Sequence, residues 1–287
     1  MDCLTRDLPF AHVPLPGTLM RYSLDGDDGL RYLVYVPSRV RAGQPMLVSV
    51  HGISRNAEEH ARLFAPLAEE AGVVLVAPVF TRERFPGYQR LAPNARGERP
   101  AEVLEQIVAE VARRTGADGR RVYLFGYSGG GQFVHRFVMA RPGRVVAYAV
   151  GAAGWYTFPD TERRFPHGLR RSRGLGMGGF DAEAFLRVPG WVLVGERDTR
   201  RDAALHASAR VLRLQGGSRL ERGQRWAQAM NAAAAAHGLG PAVGFETLPR
   251  SPHSFRRSMR RGGMGVRVFE LFFGGGDSAL ADLCRAA

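Results

Sequence analysis

The pentapeptide GYSGG at residues 126–130 constrains the fold of this chain more than any other feature of the sequence. It follows a strand-like run at 121–125 and precedes a helix-like run at 132–140. A serine at such a strand-to-helix turn has an exposed hydroxyl, and flanking glycines allow the positive φ or close packing that the turn requires. The pattern therefore predicts a sharp turn with Ser128 at its apex.

Apolar runs and helical periodicities alternate on both sides of this turn. The predicted strands are 31–37, 46–50, 73–77, 121–125, 144–150, 190–194 and 242–247. The predicted helices are 57–71, 100–115, 132–140, 208–215, 224–236 and 265–273. Alternation of this kind predicts an α/β fold with a mostly parallel sheet and helices on both faces. The glycine- and arginine-rich stretch 154–187 breaks the alternation, and we expect it to be a lid or cap insertion in a single domain spanning residues 1–287.

Composition and charge limit the classes of function that this chain can have. The net charge is +13, and all 40 basic side chains are arginine, which suits a GC-rich genome but does not explain the excess of positive charge. The arginines are scattered and no nucleic-acid motif accompanies them, so nucleic acid is not the expected partner. The longest apolar run, 73–80, is too short to span a bilayer.

The ends of the chain favour a cytoplasmic protein. The N-terminal segment is acidic and lacks the apolar region of a signal peptide. The two cysteines, Cys3 and Cys284, lie one at each end, and a disulfide between them is not the expected arrangement. The sequence does not indicate an oligomeric state.

A serine nucleophile needs a base and a carboxylate, and in a fold of this type they follow it in the order acid, then histidine. Asp198 comes just after the predicted strand 190–194, at the end of the sheet where such folds bind ligands. Glu196 and Asp202 compete for the role, although Asp202 suits a helix cap. We therefore expect Asp198 to be the catalytic acid.

His253 lies in a proline-flanked loop after the last predicted strand, where an imidazole can be aimed at the serine. His135 is seven residues past Ser128 on the same predicted helix, about 10 Å along its axis. His206 and His237 lie in helical or loop segments away from a strand end. His253 is therefore the predicted base.

The oxyanion formed during acyl transfer needs two N–H donors. One is expected from Gly129, the residue after the nucleophile, and the other from Ile53 in the loop after strand 46–50. For His51, which opens that loop, a structural hydrogen-bonding role is favoured over a catalytic one.

The ordered set VHG (50–52), GYSGGG (126–131), VGERD (194–198) and PH (252–253) resembles the α/β-hydrolase superfamily. Within it, the chain is similar to the polyhydroxybutyrate depolymerase and feruloyl-esterase-like group of bacterial serine esterases, over residues 31–273. The resemblance implies a serine esterase acting on a small or oligomeric ester. Peptidases and thioesterases share the same catalytic residues, so these activities stay open, as does a non-catalytic protein that binds anionic partners.

Other segments give weaker indications about the substrate. Trp155 and Tyr156 follow a predicted strand and could line the substrate cleft or pack in the core. Arginine clusters at 163–173 and 256–261 suggest a preference for anionic substrates, or simply a solvated basic face. No metal or cofactor motif is present; the glycine-rich segment 174–179 lacks the dinucleotide fingerprint and is predicted to be a flexible part of the lid.

Overall fold

The computed structural model describes residues 14–173, 178–203 and 205–274. Eight strands form one sheet in the order β1-β2-β4-β3-β5-β6-β7-β8. The strands are β1 Leu19–Leu24, β2 Asp27–Tyr35, β3 Met46–Val50, β4 Val74–Val79, β5 Val122–Tyr127, β6 Val145–Gly151, β7 Gly190–Gly195 and β8 Val243–Leu248. The pairs β1–β2 and β2–β4 are antiparallel and every other pair is parallel, which confirms the predicted mostly parallel sheet.

The described part of the chain contains eight α-helices, six between strands and two after β8. They are α1 Ala57–Ala71, α2 Pro100–Thr115, α3 Gly129–Ala140, α4 Ala182–Leu186, α5 Ala209–Gln215, α6 Arg219–Ala236, α7 Phe255–Arg260 and α8 Met264–Phe273. The predicted elements do not include β1, α4 or α7. The helices α4 and α7 have only five and six residues, whereas β1 was missed although its buried residues alternate regularly. None of these helices has the length and apolarity that crossing a membrane requires.

The central strand β5 shows why both faces of the sheet are covered. Alternate residues of a strand point to opposite faces. The rings of Tyr123 and Phe125 contact aromatic side chains of α8 and α1, respectively. At the next position, Gly126 faces α3 so closely that a Cβ would lie 2.7 Å from Val134. A strand covered on both faces is apolar throughout, which explains the continuous apolar run that predicts it.

The predicted lid stretch, 154–187, contains loops and the short helix α4 in its described part. Residues 174–177 of the predicted glycine-rich lid segment lie outside the described residues. Part of the stretch packs into the core rather than over it, because Leu169, which is 3% exposed, and Phe185, which is fully buried, both belong to the hydrophobic core. Its function as a lid stays a prediction.

Candidate functional site

Ser128 lies at the turn between β5 and α3, with φ 55° and ψ −112°. A non-glycine residue rarely adopts this backbone conformation, and such strain is concentrated at functional sites. The turn is possible because its neighbours lack side chains. A Cβ on Gly130 would lie 2.0 Å from the carbonyl oxygen of Val50, and one on Gly126 would lie 2.3 Å from the carbonyl oxygen of Gly130.

His253 lies next to Ser128 and is held in place by the loop after β8. Its Nε2 is 3.2 Å from Ser128 Oγ, and its ring stacks on that of Tyr127 with 5.4 Å between the centroids. The loop is fixed against the end of β7, since the carbonyl oxygen of Ser251 accepts a hydrogen bond from the Arg197 N–H at 3.1 Å. The imidazole therefore has a defined direction before any substrate binds.

Asp198 contacts the other nitrogen of the same imidazole. Its Oδ2 lies 2.7 Å from His253 Nδ1, and the residue is 2% exposed. The two alternative carboxylates have other partners. Glu196 accepts a hydrogen bond from the Arg250 N–H, and Asp202 forms two hydrogen bonds with Arg219. The structure therefore brings Ser128, His253 and Asp198 into one hydrogen-bonded chain.

The two predicted oxyanion donors also lie close together. Gly129 is the first residue of α3, so its N–H has no acceptor within the helix. A Cβ built on Gly129 would lie 3.2 Å from the Ile53 nitrogen. The side chain of Ile53 is 41% exposed and lines a cleft of about 400 Å³ together with Ser128, His253 and Arg256.

His51 holds the loop that carries Ile53. The Phe80 N–H donates to its Nε2 at 3.0 Å, so the proton of the neutral ring is on Nδ1, which lies 2.8 Å from the Gly52 carbonyl oxygen. The Tyr88 hydroxyl donates to the His51 carbonyl at 2.7 Å. Burial lowers the pKa of His51 to about 4. His51 is therefore neutral and structural at pH 7.

Trp155 and Tyr156, which could line the cleft or pack in the core, have different surroundings in the structure. Tyr156 is fully buried, stacks on Trp226 at 4.9 Å, and is hydrogen-bonded through its backbone to Gln215. It packs in the core and does not line the cleft at Ser128. Trp155 is 8% exposed and lies between the rings of His167 and His206.

Sequence reasoning missed Arg219, which is on α6 and 1% exposed. Its Nη1 lies 3.3 Å from Asp198 Oδ1, the carboxylate oxygen that does not contact His253. Arg219 follows Asp198 by 21 residues and no motif marks it, so only the tertiary structure reveals the contact. In the described part of the chain, no group of histidine, cysteine and acidic residues is placed to hold a metal ion.

Two hydrolases of known structure are similar to this chain. No protein-family model matches the sequence. The structure is similar to LpqC, a poly(3-hydroxybutyrate) depolymerase from Bordetella parapertussis, with a TM-score of 0.74 and 28% identity over 94% of this chain and 93% of that chain. It is also similar to poly(aspartic acid) hydrolase-1 from Sphingomonas sp. KT-1, with a TM-score of 0.72 and 25% identity over 87% of this chain and 100% of that chain.

A curated relative covers less of the sequence. A bifunctional acetylxylan esterase/xylanase from Neocallimastix patriciarum is 26% identical over 134 residues, which are 46% of this chain and 19% of that protein. The chain thus spans about a fifth of the length of this relative. Together the similarities confirm the predicted α/β-hydrolase fold and the predicted enzyme class, an esterase-type hydrolase similar to polyhydroxybutyrate depolymerases.

Proposed function

We propose that this chain cleaves a carboxylic ester through an acyl-enzyme intermediate, with Ser128 as nucleophile, His253 as base and Asp198 as the orienting acid. The observation that carries the proposal is the pair of contacts at His253, 3.2 Å to Ser128 Oγ and 2.7 Å to Asp198 Oδ2. The strained backbone of Ser128 supports it, because that conformation lifts the hydroxyl out of the sheet toward the cleft.

In the first half of the reaction, His253 Nε2 takes the proton of Ser128 while Oγ attacks the ester carbonyl. Asp198 fixes the ring with Nδ1–H toward the carboxylate and stabilises the imidazolium that forms. The imidazolium then gives its proton to the leaving alcohol as the ester C–O bond breaks. In the second half, His253 activates a water molecule that attacks the acyl-enzyme and regenerates the free serine.

The N–H groups of Gly129 and Ile53 are the proposed donors to the oxyanion. Fixed donors of this kind stabilise the developing negative charge without having to reorganise, and each contributes on the order of 3 kcal/mol to transition-state binding in serine hydrolases. The exposed side chain of Ile53 would then form an apolar wall at the mouth of the cleft.

The proposal includes a preference for substrates that carry negative charge. Arg256 lines the cleft at Ser128 and forms a salt bridge of 2.5 Å with Glu59. The predicted arginine cluster at 163–173 includes Arg163, which pairs with Asp160 at 3.3 Å. Since both are exposed, we expect them to contribute long-range attraction that salt weakens.

Labelling with a fluorophosphonate probe tests the catalytic assignment. Wild-type protein should be labelled on Ser128 and should hydrolyse 4-nitrophenyl esters, and Ser128→Ala should do neither. Equal labelling of both proteins, or of neither, would contradict the proposal. Parallel assays with the matching thioester and anilide would separate an esterase from a thioesterase or a peptidase.

The cytoplasmic location predicted from the sequence remains part of the proposal. Fractionation of cells that express the full chain at native level, with a periplasmic enzyme as marker, provides the test. Recovery in the periplasmic or extracellular fraction would contradict it.

A further inference from the structure

Basic side chains surround Trp155, which lies in the loop after β6. The guanidinium carbon of Arg136 lies 4.2 Å from the centroid of the Trp155 ring. The rings of His167 and His206 lie 5.1 Å and 5.5 Å from the indole, centroid to centroid. Arg222 Nη1 donates a hydrogen bond at 2.5 Å to the carbonyl oxygen of Gly154, the residue before Trp155. We call these four basic residues and the indole the Trp155 cluster.

The two arginines of the cluster are buried among neutral partners. Arg136 and Arg222 are both 0% exposed. Arg136 donates to the Thr157 hydroxyl at 2.9 Å and to the Gln89 carbonyl at 2.5 Å, and Arg222 donates to backbone carbonyls. A buried cation is unfavourable unless an opposite charge compensates it, and the hydrogen bonds that the structure shows for these two side chains supply none.

Unsatisfied hydrogen-bonding groups are concentrated at the same place. In the described part of the chain, Nη2 of Arg136, Nη2 of Arg222, Nδ1 of His167 and Oε1 of Gln89 are all buried without a hydrogen-bond partner. Buried polar atoms almost always have a partner, and an exception calls for a specific explanation such as an ion. Three of these four atoms are nitrogens of basic side chains, so most of the unsatisfied atoms here belong to side chains that can carry positive charge.

The electrostatic neighbours of the cluster point the same way. Burial and then the charge of Arg90 lower the pKa of Arg136 to about 9. Partial burial, followed by the charges of Arg222 and Arg90, lowers the pKa of His206. Glu221 has the opposite effect on Arg222, but Glu221 is itself paired with an arginine of its own helix at 2.6 Å. The field in this region is therefore positive.

The cluster is connected to the proposed nucleophile through α3 and through the loop that follows β6. Arg136 is two turns along α3 from Ser128, and its side chain reaches back toward the carbonyl of Gln132, one turn from the serine. One helical turn corresponds to about 5–6 Å along the axis. Trp155 is four residues past Gly151, whose carbonyl oxygen accepts a hydrogen bond from the Ser128 N–H at 2.7 Å.

We propose that the Trp155 cluster binds a carboxylate of the substrate, so that the preferred ester carries a carboxylate several bonds from the scissile carbonyl. This inference rests on the proposed function and assigns a substrate class to it. Arg90 and His206 are exposed and can reach a ligand, whereas the buried arginines maintain the positive field behind them. A neutral ester of the same shape would leave that field uncompensated.

Two substrate pairs test the site, one with the carboxylate on the acyl side and one with it on the alcohol side. The first is mono(4-nitrophenyl) glutarate against 4-nitrophenyl valerate, and the second is 3-carboxyphenyl butyrate against 3-carbamoylphenyl butyrate. The quantity compared is the ratio of kcat/KM for the charged and the neutral ester, which cancels any general loss of activity. We expect a ratio of about ten or more in at least one pair, since charge-assisted hydrogen bonds contribute about that much.

The variants decide whether the cluster causes the preference. Arg90→Gln combined with His206→Gln changes exposed side chains, and we expect it to lower the ratio about tenfold. Arg222→Met should also lower it, and Arg222→Lys should restore it in part. Arg41→Gln is the matched control, because Arg41 is exposed and precedes β3 at the opposite end of the sheet. A ratio near one in both pairs, or an equal fall in the Arg41 variant, would overturn the proposal.

The design separates failure of this inference from failure of the proposed function. If Ser128 is labelled by fluorophosphonate and neutral esters are hydrolysed, a flat ratio overturns the carboxylate site alone. If neither occurs, binding is measured directly as thermal stabilisation by glutarate against glutaramide at constant ionic strength. Stabilisation by glutarate that disappears in the Arg90/His206 double variant supports the site, and equal effects of the two compounds refute it.

Discussion

Arg219 contacts the carboxylate oxygen of Asp198 that His253 leaves free, with 3.3 Å between Nη1 and Oδ1. The same guanidinium forms two hydrogen bonds with Asp202, at 2.7 Å and 2.8 Å. Asp198 is thereby held from both sides, by an imidazole and by an arginine that is itself fixed. The proposed catalytic acid is therefore oriented in part by a residue on α6, 21 positions further along the sequence.

Replacing Arg219 should therefore reduce catalysis through Asp198. We expect Arg219→Met to lower kcat about tenfold to a hundredfold with a smaller change in KM, and to destabilise the fold by about 3–5 kcal/mol, since it leaves a buried carboxylate partly uncompensated. Arg219→Lys should recover part of the kcat loss. Steady-state kinetics and urea unfolding provide the two measurements.

Arg225→Met is the control on the same helix. Arg225 is exposed and pairs with Glu221 at i,i+4, an arrangement that contributes only about 0.3–0.5 kcal/mol. If both methionine variants lost the same fraction of kcat, a positioning role for Arg219 would be excluded.

Ile53 allows a backbone donor to be removed with little change to the fold. The Arg55 N–H donates to the Gly52 carbonyl at 3.0 Å, so Ile53 occupies the second position of a four-residue turn, where proline is favoured. Ile53→Pro should lower kcat about 10²- to 10³-fold by deleting the N–H. Ile53→Ala retains the N–H and should keep most of kcat; similar kcat values for the two variants would argue against Ile53 as an oxyanion donor.

The backbone strain at Ser128 can be measured by comparing two inactive variants. Because φ is 55°, glycine should fit better than alanine, and Ser128→Gly should be more stable than Ser128→Ala by about 1 kcal/mol. Ser38 does not have positive φ, so Ser38→Gly should be no more stable than Ser38→Ala. Chemical denaturation of the four variants tests this, and the opposite order at position 128 would show that the turn is unstrained.

Gly130 should not tolerate even one added methyl group. A Cβ there would lie 2.0 Å from the Val50 carbonyl oxygen and 2.6 Å from that of His51, so β3 and α3 would have to separate. We expect Gly130→Ala to destabilise the protein by at least about 3 kcal/mol. Gly143→Ala, where no atom lies within 4 Å of the added carbon, should change the unfolding free energy by less than about 0.5 kcal/mol.

The buried histidines should make the protein sensitive to mild acid. Burial lowers the pKa of His51 to about 4, and burial also lowers the pKa values of His60 and His135. A histidine that stays neutral when folded but protonates when unfolded stabilises the native state above its unfolded pKa of about 6.5. That stability is lost as the pH falls from about 6.5 toward 4, and His51 alone contributes on the order of 3 kcal/mol.

Urea unfolding between pH 7.5 and 4 measures this effect. His51→Asn should flatten the dependence of unfolding free energy on pH, although it also lowers stability at pH 7.5. His237→Asn is the control, because His237 is exposed at the end of α6. An unchanged slope in His51→Asn would rule out this origin of acid sensitivity.

Local sequence determined the elements that surround the site. Predicted helices 57–71 and 100–115 match α1 and α2 residue for residue, because each has an apolar face and a glycine that ends it. The pattern GYSGG placed the turn correctly, since only glycine fits where β5, α3 and β3 meet. The order of serine, acid and histidine along the chain, together with their positions after predicted strands, selected the three residues that the structure brings together.

Tertiary structure decided what surrounds those residues. The sequence left Trp155 and Tyr156 equally suited to the cleft or the core, and the packing of Trp226 and Gln215 placed Tyr156 in the core. The sequence did not indicate that Arg219 contacts Asp198. It also did not indicate that Arg136 and Arg222 both lie next to Trp155. Periodicity and turn chemistry report on neighbours along the chain, whereas buried charges meet across elements far apart in sequence. The proposed attack of Ser128 on a carbonyl can therefore be predicted from local patterns, whereas what the protein recognises depends on long-range contacts that only the folded chain creates.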